Sequence, residues 1–376
     1  MSEVRITEVE ALYFRMPEIK DRTDSSQDVL VVRVATDQGV VGYGEVDANP
    51  LVIQAIVNAP TSHRMSRGLR DLLIGENPLE ITRLWDKMYR GTLYYGRDGA
   101  VIQAMAGIDL ALWDIKGKLL QKPVYELLGG GEFESIRAYA SHMFAFTPAE
   151  TRDRAARAAA EGFSAVKFGW EPLGADPEFD RQLVAAVRSG VGPDIDIMID
   201  AGLAWDAKSA IQRCKLFEPS GLFWLEEPLH PDNLRGYRRL TESVDMRIAA
   251  GEQECTAAGF QRLMDVGSID IVQIDVTRVG ITEAVRIARM AHERGLPVAN
   301  HNFTTDINTA ASLHMLACAP NALILEYCVE ENPLRRNIIR NPVKVVDGRA
   351  YLPQEPGLGV DVDLDAVAQY LVKPAG

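Results

Sequence analysis

Apolar runs in this chain end on an acidic or imidazole side chain at nearly regular intervals. Asp200 ends IDIMID, Glu226 ends GLFWLE, Glu252 ends MRIAAGE, Asp275 ends IDIVQID, His301 ends LPVANH and Glu326 ends ALILE. The spacings are 26, 26, 23, 26 and 25 residues. A strand, a helix and two loops need about that length, since a βαβ unit takes roughly 30 residues. The same point of a repeating βα unit therefore carries a polar group six times. In a parallel barrel the C-terminal strand ends converge on one mouth. Three neighbouring carboxylates there (Asp200, Glu226, Glu252) suit a hard divalent cation such as Mg2+.

The intervening segments read as helices. AKSAIQRCKLFEP, TAAGFQRLMDVG and TDINTAASLHMLACAP carry apolar residues at helical spacing, and ITEAVRIARMAHERG opens at Thr282 and stops at Gly295. The strands are near-continuous apolar runs, as in a parallel sheet covered on both faces. Two earlier units, IRAYASHM (Ser141, His142) and FSAVKFG (Lys167), bring the strands to eight, with a helix over roughly 148–162 between them. The span from 136 to 326 is short for a barrel of about 250 residues, so a helix is missing or the units are lean.

Composition narrows the function classes. A formal charge of −13 argues against a nucleic-acid or membrane surface, although a bound metal reverses the local field for an anionic substrate. There is no 18-residue apolar run and no secretory signal pattern. The four cysteines (Cys214, Cys255, Cys318, Cys328) lack CxxC spacing and read as reduced core residues of a cytoplasmic protein.

The first 125 or so residues differ. VRITEVEALYFRM and VLVVRVATDQGVVGYGEV read as antiparallel strands, followed by helical LEITRLWDKMYR and DGAVIQAMAGIDLALWDIKGKLLQ, an α+β order. VKVVDGRAYLP marks a hairpin at Asp347-Gly348 in a tail expected to return to this first domain. The polar 17–28 segment reads as a surface loop or a flap over the mouth.

As an ordered set, these pieces resemble the mandelate racemase subgroup of the enolase superfamily. The carriers are AVKFG (165–169), IMIDAG (197–202), WLEEP (224–228), AGEQ (250–253), VQIDVTRVGIT (272–282), ANHNF (299–303) and ILEY (324–327), with GIDLALWDIKGK (107–118) and PGLGV (356–360). The match runs from about residue 5 to 370. The resemblance implies a modified TIM barrel, (β/α)7β, under an N-terminal α+β capping domain. The expected boundaries are 1–128 for the cap, 129–328 for the barrel and 329–376 for a segment returning to the cap. It also implies one Mg2+ on Asp200, Glu226 and Glu252, and a reaction that starts by removing the proton alpha to a carboxylate. A homo-oligomer is expected by analogy.

Asp275 and His301 sit on neighbouring strands, where a carboxylate fixes the imidazole tautomer and raises its basicity; the resemblance makes His301 the base. Glu227 follows Glu226 directly, so it is read as pointing to the other side of the strand. Lys167 matches the first lysine of a Lys-x-Lys motif that contacts the substrate carboxylate. Gly169 stands where the second, basic lysine is usual, and Gly202 stands where an Asn is common. Glu326 matches an acid that hydrogen-bonds the substrate carboxylate, and crowding by other carboxylates is expected to raise its pKa. Ser141 is placed near that carboxylate and Arg278 supports the site. Lys20 and Arg22 in the flap are candidate substrate contacts, and His142 is a candidate pocket residue.

With one side-chain base evident, dehydration of a sugar acid (aldonate or aldarate) to a 2-keto-3-deoxy acid is favoured. The alternatives are a racemase or epimerase with a base from elsewhere, and a non-catalytic metal- and sugar-acid-binding relative.

Overall fold

A computed structural model describes residues 4–21, 27–131 and 133–373. Three strands, β1 (Ile6–Arg15), β2 (Asp28–Thr36) and β3 (Val41–Val46), form an antiparallel sheet in the order β1-β2-β3. The long helix Ala100–Leu120 lies on it. Gly42 and Gly44 permit the close approach. A Cβ at 42 would stand 2.1 Å from the Ala111 carbonyl oxygen, and one at 44 would stand 2.0 Å from that of Gly107. This sheet-and-helix unit is the cap.

The barrel strands are β4 (Ser135–Met143), β5 (Ala165–Gly169), β6 (Asp196–Asp200), β7 (Leu222–Glu226), β8 (Ile248–Ala250), β9 (Ile271–Ile274), β10 (Val298–Asn300) and β11 (Ala322–Cys328). Each pairs in parallel with the next, and β11 closes on β4. Among the described residues seven α-helical segments join the eight strands, and only the five-residue helix Pro333–Asn337 follows β11. That is the (β/α)7β arrangement, and it explains the short span. Helix starts follow from local chemistry. Thr147, Asp176, Asp206 and Thr256 each accept a backbone N–H of the first turn, satisfying donors that a helix start leaves bare. The helix expected to open at Thr282 is preceded by one extra turn from Val276, capped by the Asp275 side chain and broken at Gly280 (φ 79°).

Inside the barrel each strand contributes one buried residue to a plug: Tyr139, Ala165, Met198, Trp224, Ala249, Ile271, Ala299 and Ile324. Side chains two residues further along a strand face the same way. Counting two on from the plug gives Ser141, Lys167, Asp200, Glu226, Gly251, Gln273, His301 and Glu326. One alternation therefore generates both the apolar floor and the polar ring above it.

The tail corrects one expectation. The hairpin of β12 (Val345–Val346) and β13 (Arg349–Tyr351), with Asp347 and Gly348 both at positive φ, adds to the start of β4 rather than to the cap. Only later residues reach the cap: Leu358 N–H donates to Asp114, and Val372 N–H donates to the Tyr13 carbonyl. The cysteines are unpaired, with Cys214, Cys255 and Cys328 buried. Among the described residues no helix is long and apolar enough to cross a membrane.

His314 ties tail, linker and barrel together. Its Nδ1 accepts the Tyr125 N–H and its Nε2 faces the Leu358 carbonyl, each at 3.1 Å, which requires the neutral ring. Burial pushes its pKa down to about 4, against the bond to Leu358. The unfolded chain, with an ordinary value of about 6.5, takes up this proton first as pH falls. His314 therefore stabilises the fold fully above about pH 6.5 and loses that contribution as pH drops towards 4, by about 3 kcal/mol in all. The stability gap between wild type and His314→Gln should narrow by up to that amount between pH 7 and 4, measured by urea unfolding; a pH-independent gap contradicts the assignment.

Candidate active site

The mouth cavity, of about 120 Å³, is lined by Ser141, Lys167, Asp200, Glu252, Arg278 and His301 with Asp47, Trp170 and Phe303 around them. Asp47 comes from the cap, just past β3. A larger cavity of about 890 Å³ lies elsewhere, between the helix Pro148–Ala160 and the segment that follows β11, with Arg154, Arg157, Glu330, Arg335 and Arg336 in its wall. The barrel chemistry belongs to the mouth, because the converging strand ends aim their side chains there.

Asp200, Glu226 and Glu252 are all buried, and each offers an oxygen within 4.8 Å of the others. Burial and mutual repulsion push the Asp200 and Glu226 carboxyls up. Glu252 Oε2 is buried, with the His301 Nε2 3.1 Å away. Three hard oxygen donors under this repulsion fit a divalent cation of the Mg2+ kind. Asp47, Asp275 and His301 form a second close group, but the Arg278 guanidinium already serves it. Its Nη2 lies 2.8 Å from Asp47 and its Nε 3.9 Å from Asp275.

Each catalytic candidate sits between two carboxylates. Lys167 Nζ is 2.5 Å from Glu226 Oε1 and 2.7 Å from Glu326 Oε1. Burial disfavours its charge, but the Glu226 and Glu326 charges outweigh that, so the ammonium is held well above its ordinary pKa. His301 Nδ1 is 2.7 Å from Asp275 Oδ2, and its Nε2 is 3.1 Å from Glu252 Oε2. Burial again opposes the charge, yet Glu252 and the Asp275 hydrogen bond raise the imidazole to about 10. Asp275 is itself fixed through Oδ1, by the Thr277 N–H and hydroxyl at 2.8 and 2.6 Å.

The expected direction for Glu326 is overturned. Burial raises its carboxyl, but the Lys167 and His301 charges, with hydrogen bonds from Lys167 and Ser141, bring it below its ordinary value. The Asn302 N–H donates to its other oxygen at 2.7 Å. Ser141 itself is fully buried, with its hydroxyl 2.7 Å from Glu326.

Other residues depart from the sequence reading. Glu227 sits at φ 36° and is buried behind the ligand candidates, accepting the Gly251 N–H at 3.4 Å; burial and the Glu252 and Asp200 charges push its carboxyl well up. Lys20 is exposed and does not line the mouth cavity; its backbone is held by the Gln27 side chain at 2.7 and 2.9 Å. Arg22 lies outside the described residues. His142 touches the cavity rim, but strand alternation turns its ring outward, stacked on Phe168 at 4.9 Å with Nδ1 3.5 Å from Glu330. Gly169 is packed against a ligand candidate: a Cβ there would stand 2.6 Å from Asp200 Cβ. One contributor escaped the sequence reading as a site residue, Gln273. Gln273 belongs to the inward ring with both side-chain atoms buried and unpaired, and only its place two residues after the plug residue Ile271 could have flagged it.

The chain matches two family profiles. Residues 2–129 match "Mandelate racemase / muconate lactonizing enzyme, N-terminal domain", and residues 150–366 match "Enolase C-terminal domain-like". It is 32% identical over 354 residues to a D-galactarolactone cycloisomerase of Agrobacterium fabrum, covering 91% of this chain and 90% of the relative. It is also 32% identical over 366 residues to an arabinonate dehydratase of Saccharolobus solfataricus, covering 94% of each. The crystal structure of a predicted mandelate racemase from Rhodobacter sphaeroides superposes with a TM-score of 0.90 at 36% identity, over 98% of this chain and 96% of that one. With both profiles matched in order across nearly the whole chain, the protein belongs to the mandelate racemase/muconate lactonizing enzyme family of the enolase superfamily.

Proposed function

We propose that this protein is a Mg2+-dependent sugar-acid dehydratase. The observation that carries the reading is one imidazole–carboxylate pair beside a three-carboxylate cluster, with the usual position of a second base closed by Gly169. Relatives named as arabinonate, D-xylonate and D-gluconate dehydratases, at 30–32% identity, support it. Mg2+ held by Asp200, Glu226 and Glu252 would supply positive charge to offset the dianion that forms when C2 loses its proton.

Lys167 provides a fixed ammonium towards the substrate carboxylate. It acts as an electrostatic clamp, held between Glu226 and Glu326. His301 takes the C2 proton at Nε2, the nitrogen that Glu252 Oε2 meets at 3.1 Å, with Asp275 fixing the ring through Nδ1; a cation engaging Glu252 would weaken the pull that holds this ring protonated. The electron pair passes to the carboxylate and returns to form C2=C3 as the C3 oxygen leaves with its bonding pair. The protonated His301 is placed to return a proton to that oxygen, so water departs and the enol becomes a 2-keto-3-deoxy acid. Ser141 and Asn302 hold Glu326 against Lys167, which keeps the clamp in position. The relative named as a cycloisomerase favours a second reading that begins with the same proton transfer. Product mass separates the two: dehydration loses one water, isomerisation loses nothing.

The direct test is a panel of aldonates and aldarates with Mg2+, read by semicarbazide for a keto acid and run in D2O. Keto-acid formation supports dehydration; deuterium entering recovered substrate with inversion at C2, and no keto acid, would move the reading to epimerisation. His301→Asn should keep divalent-cation binding and lose turnover by at least about 100-fold; unchanged turnover removes His301 as the base. Gly169→Ala should weaken divalent-cation binding by about tenfold, a scale set by residues that orient ligands, because its Cβ displaces Asp200. A Mn2+ titration followed by electron paramagnetic resonance reads this directly, and an unchanged Kd contradicts it.

A further inference from the structure

We infer that the larger cavity is a regulatory site for a small dicarboxylate, held between two arginine pairs and linked to the active-site wall through Arg335 and Phe303.

The cavity, of about 890 Å³, is several times the size of the mouth. Arg154 and Arg157 stand three apart on the helix Pro148–Ala160, and so on one face of it. Arg335 and Arg336 reach the same cavity from the short helix Pro333–Asn337. A guanidinium fork matches the plane of a carboxylate. Two such pairs, one from each side of the cavity, suit an anion with a carboxylate at each end.

The acids in the wall do not use up this charge. Glu330 takes Arg154 at 3.3 Å. Glu331 takes Arg336 at 3.1 Å, but it is exposed, and an exposed pair is weak. Asp306 accepts the Val343 N–H at 3.0 Å, and burial raises its carboxyl. Glu161 and Asp347 lie out in solvent.

Arg335 is the residue that points to a ligand. It is 4% exposed and lines the cavity, and its three guanidinium nitrogens meet no oxygen among the described residues. The Cys328 thiol and the Phe303 ring are beside it, and neither supplies the negative charge of a carboxylate. A buried cation left in this state is costly, and an entering carboxylate would relieve it.

The same residue carries the link inward. Its guanidinium lies 5.5 Å over the Phe303 ring, and Phe303 lines the mouth two residues past His301. The nitrogens are shielded from solvent. A carboxylate therefore engages them by drawing the side chain towards the cavity and off the ring. Met143, also in the mouth wall, gives its N–H to Glu330 at 3.2 Å. A dicarboxylate on Arg154 competes with Glu330 for that arginine. Filling the larger cavity thus loosens two residues of the mouth wall.

The test is succinate binding to the intact protein by isothermal titration calorimetry, in EDTA so that the mouth holds no cation. Arg335→Met should weaken binding by about tenfold or more and Arg157→Gln, an exposed change, by about threefold, as expected for lost charge-assisted bonds. Lys167→Gln, which removes the mouth's ammonium, should leave the affinity unchanged. Amide hydrogen exchange over residues 301–305 should quicken with succinate in wild type and stay constant in Arg335→Met. Affinity that is lost with Lys167→Gln but kept with Arg335→Met puts the anion in the mouth and overturns the proposal. Inorganic phosphate binding as tightly as succinate overturns it too, since it marks an adventitious ion only. Succinate binding with unchanged exchange over 301–305 overturns the regulatory link. No readout here uses turnover, so failure of the dehydratase reading leaves these outcomes untouched.

Discussion

The arrangement depends on a surplus of buried negative charge at the barrel mouth. Asp200, Glu226, Glu227, Glu252, Asp275 and Glu326 are all within a few per cent of full burial. Facing them are Lys167, Arg278 and His301. Six carboxylates against three cations cannot all be ionised in a poorly solvated space without a large desolvation cost. The strain appears where the count predicts: Asp200, Glu226 and Glu227 are pushed up, while Asp275 and Glu326, each beside a cation, are brought down. Of the two carboxylates on each of Lys167 and His301, one belongs to the three-acid cluster and one does not. Glu326 and Asp275 are therefore the partners that remain when Glu226 and Glu252 are engaged elsewhere.

This layout was readable in the sequence because one constraint produced it. Residues that close apolar runs at βα spacing fall on the C-terminal strand ends, and alternation along each strand points Lys167, Asp200, Glu226, His301 and Glu326 inward. What was not readable depends on backbone turns and on charges from other strands. The Glu226-Glu227 pair invites the reading that neighbours face opposite ways, but nothing local marks the positive φ at Glu227, where the strand has already stopped. Glu326 was expected to be raised because acids surround it. The Lys167 ammonium 2.7 Å away, on a strand two positions round the barrel, reverses the sign. The hairpin at Asp347-Gly348 was recognisable as a hairpin from its turn residues; its partner strand was not, because nothing local encodes where an edge will dock.

The cap is bound to the loops that carry the base. Asp47 holds Arg278, whose Nη1 also donates to the Glu252 carbonyl at 2.7 Å. Glu45 receives the Thr305 hydroxyl at 2.8 Å at the start of the helix that follows His301, and burial pushes its carboxyl up to about 8. Asp109, on the cap's long helix, receives the Thr282 N–H at 2.9 Å and hydroxyl at 2.6 Å at the restart beyond the Gly280 break. All three ties fall on segments following β9 and β10, the strands of the Asp275–His301 pair. Cap and base are consequently one mechanical unit, and a change in the cap sheet reaches the imidazole without touching substrate.

The missing eighth helix has a structural consequence on the same side. After β11 the chain forms only the short helix Pro333–Asn337, and the segment around it buries Leu334, Ile338 and Ile339. Arg335 goes in with them, its guanidinium 5.5 Å over the Phe303 ring and beside the Cys328 thiol. A buried guanidinium with no carboxylate hydrogen-bonded to it is costly. Here the Asp306 charge and the aromatic face offset part of that cost. Phe303 is two residues past His301 and lines the mouth. The short helix after β11 therefore sets Arg335 against the apolar wall of the active site from outside.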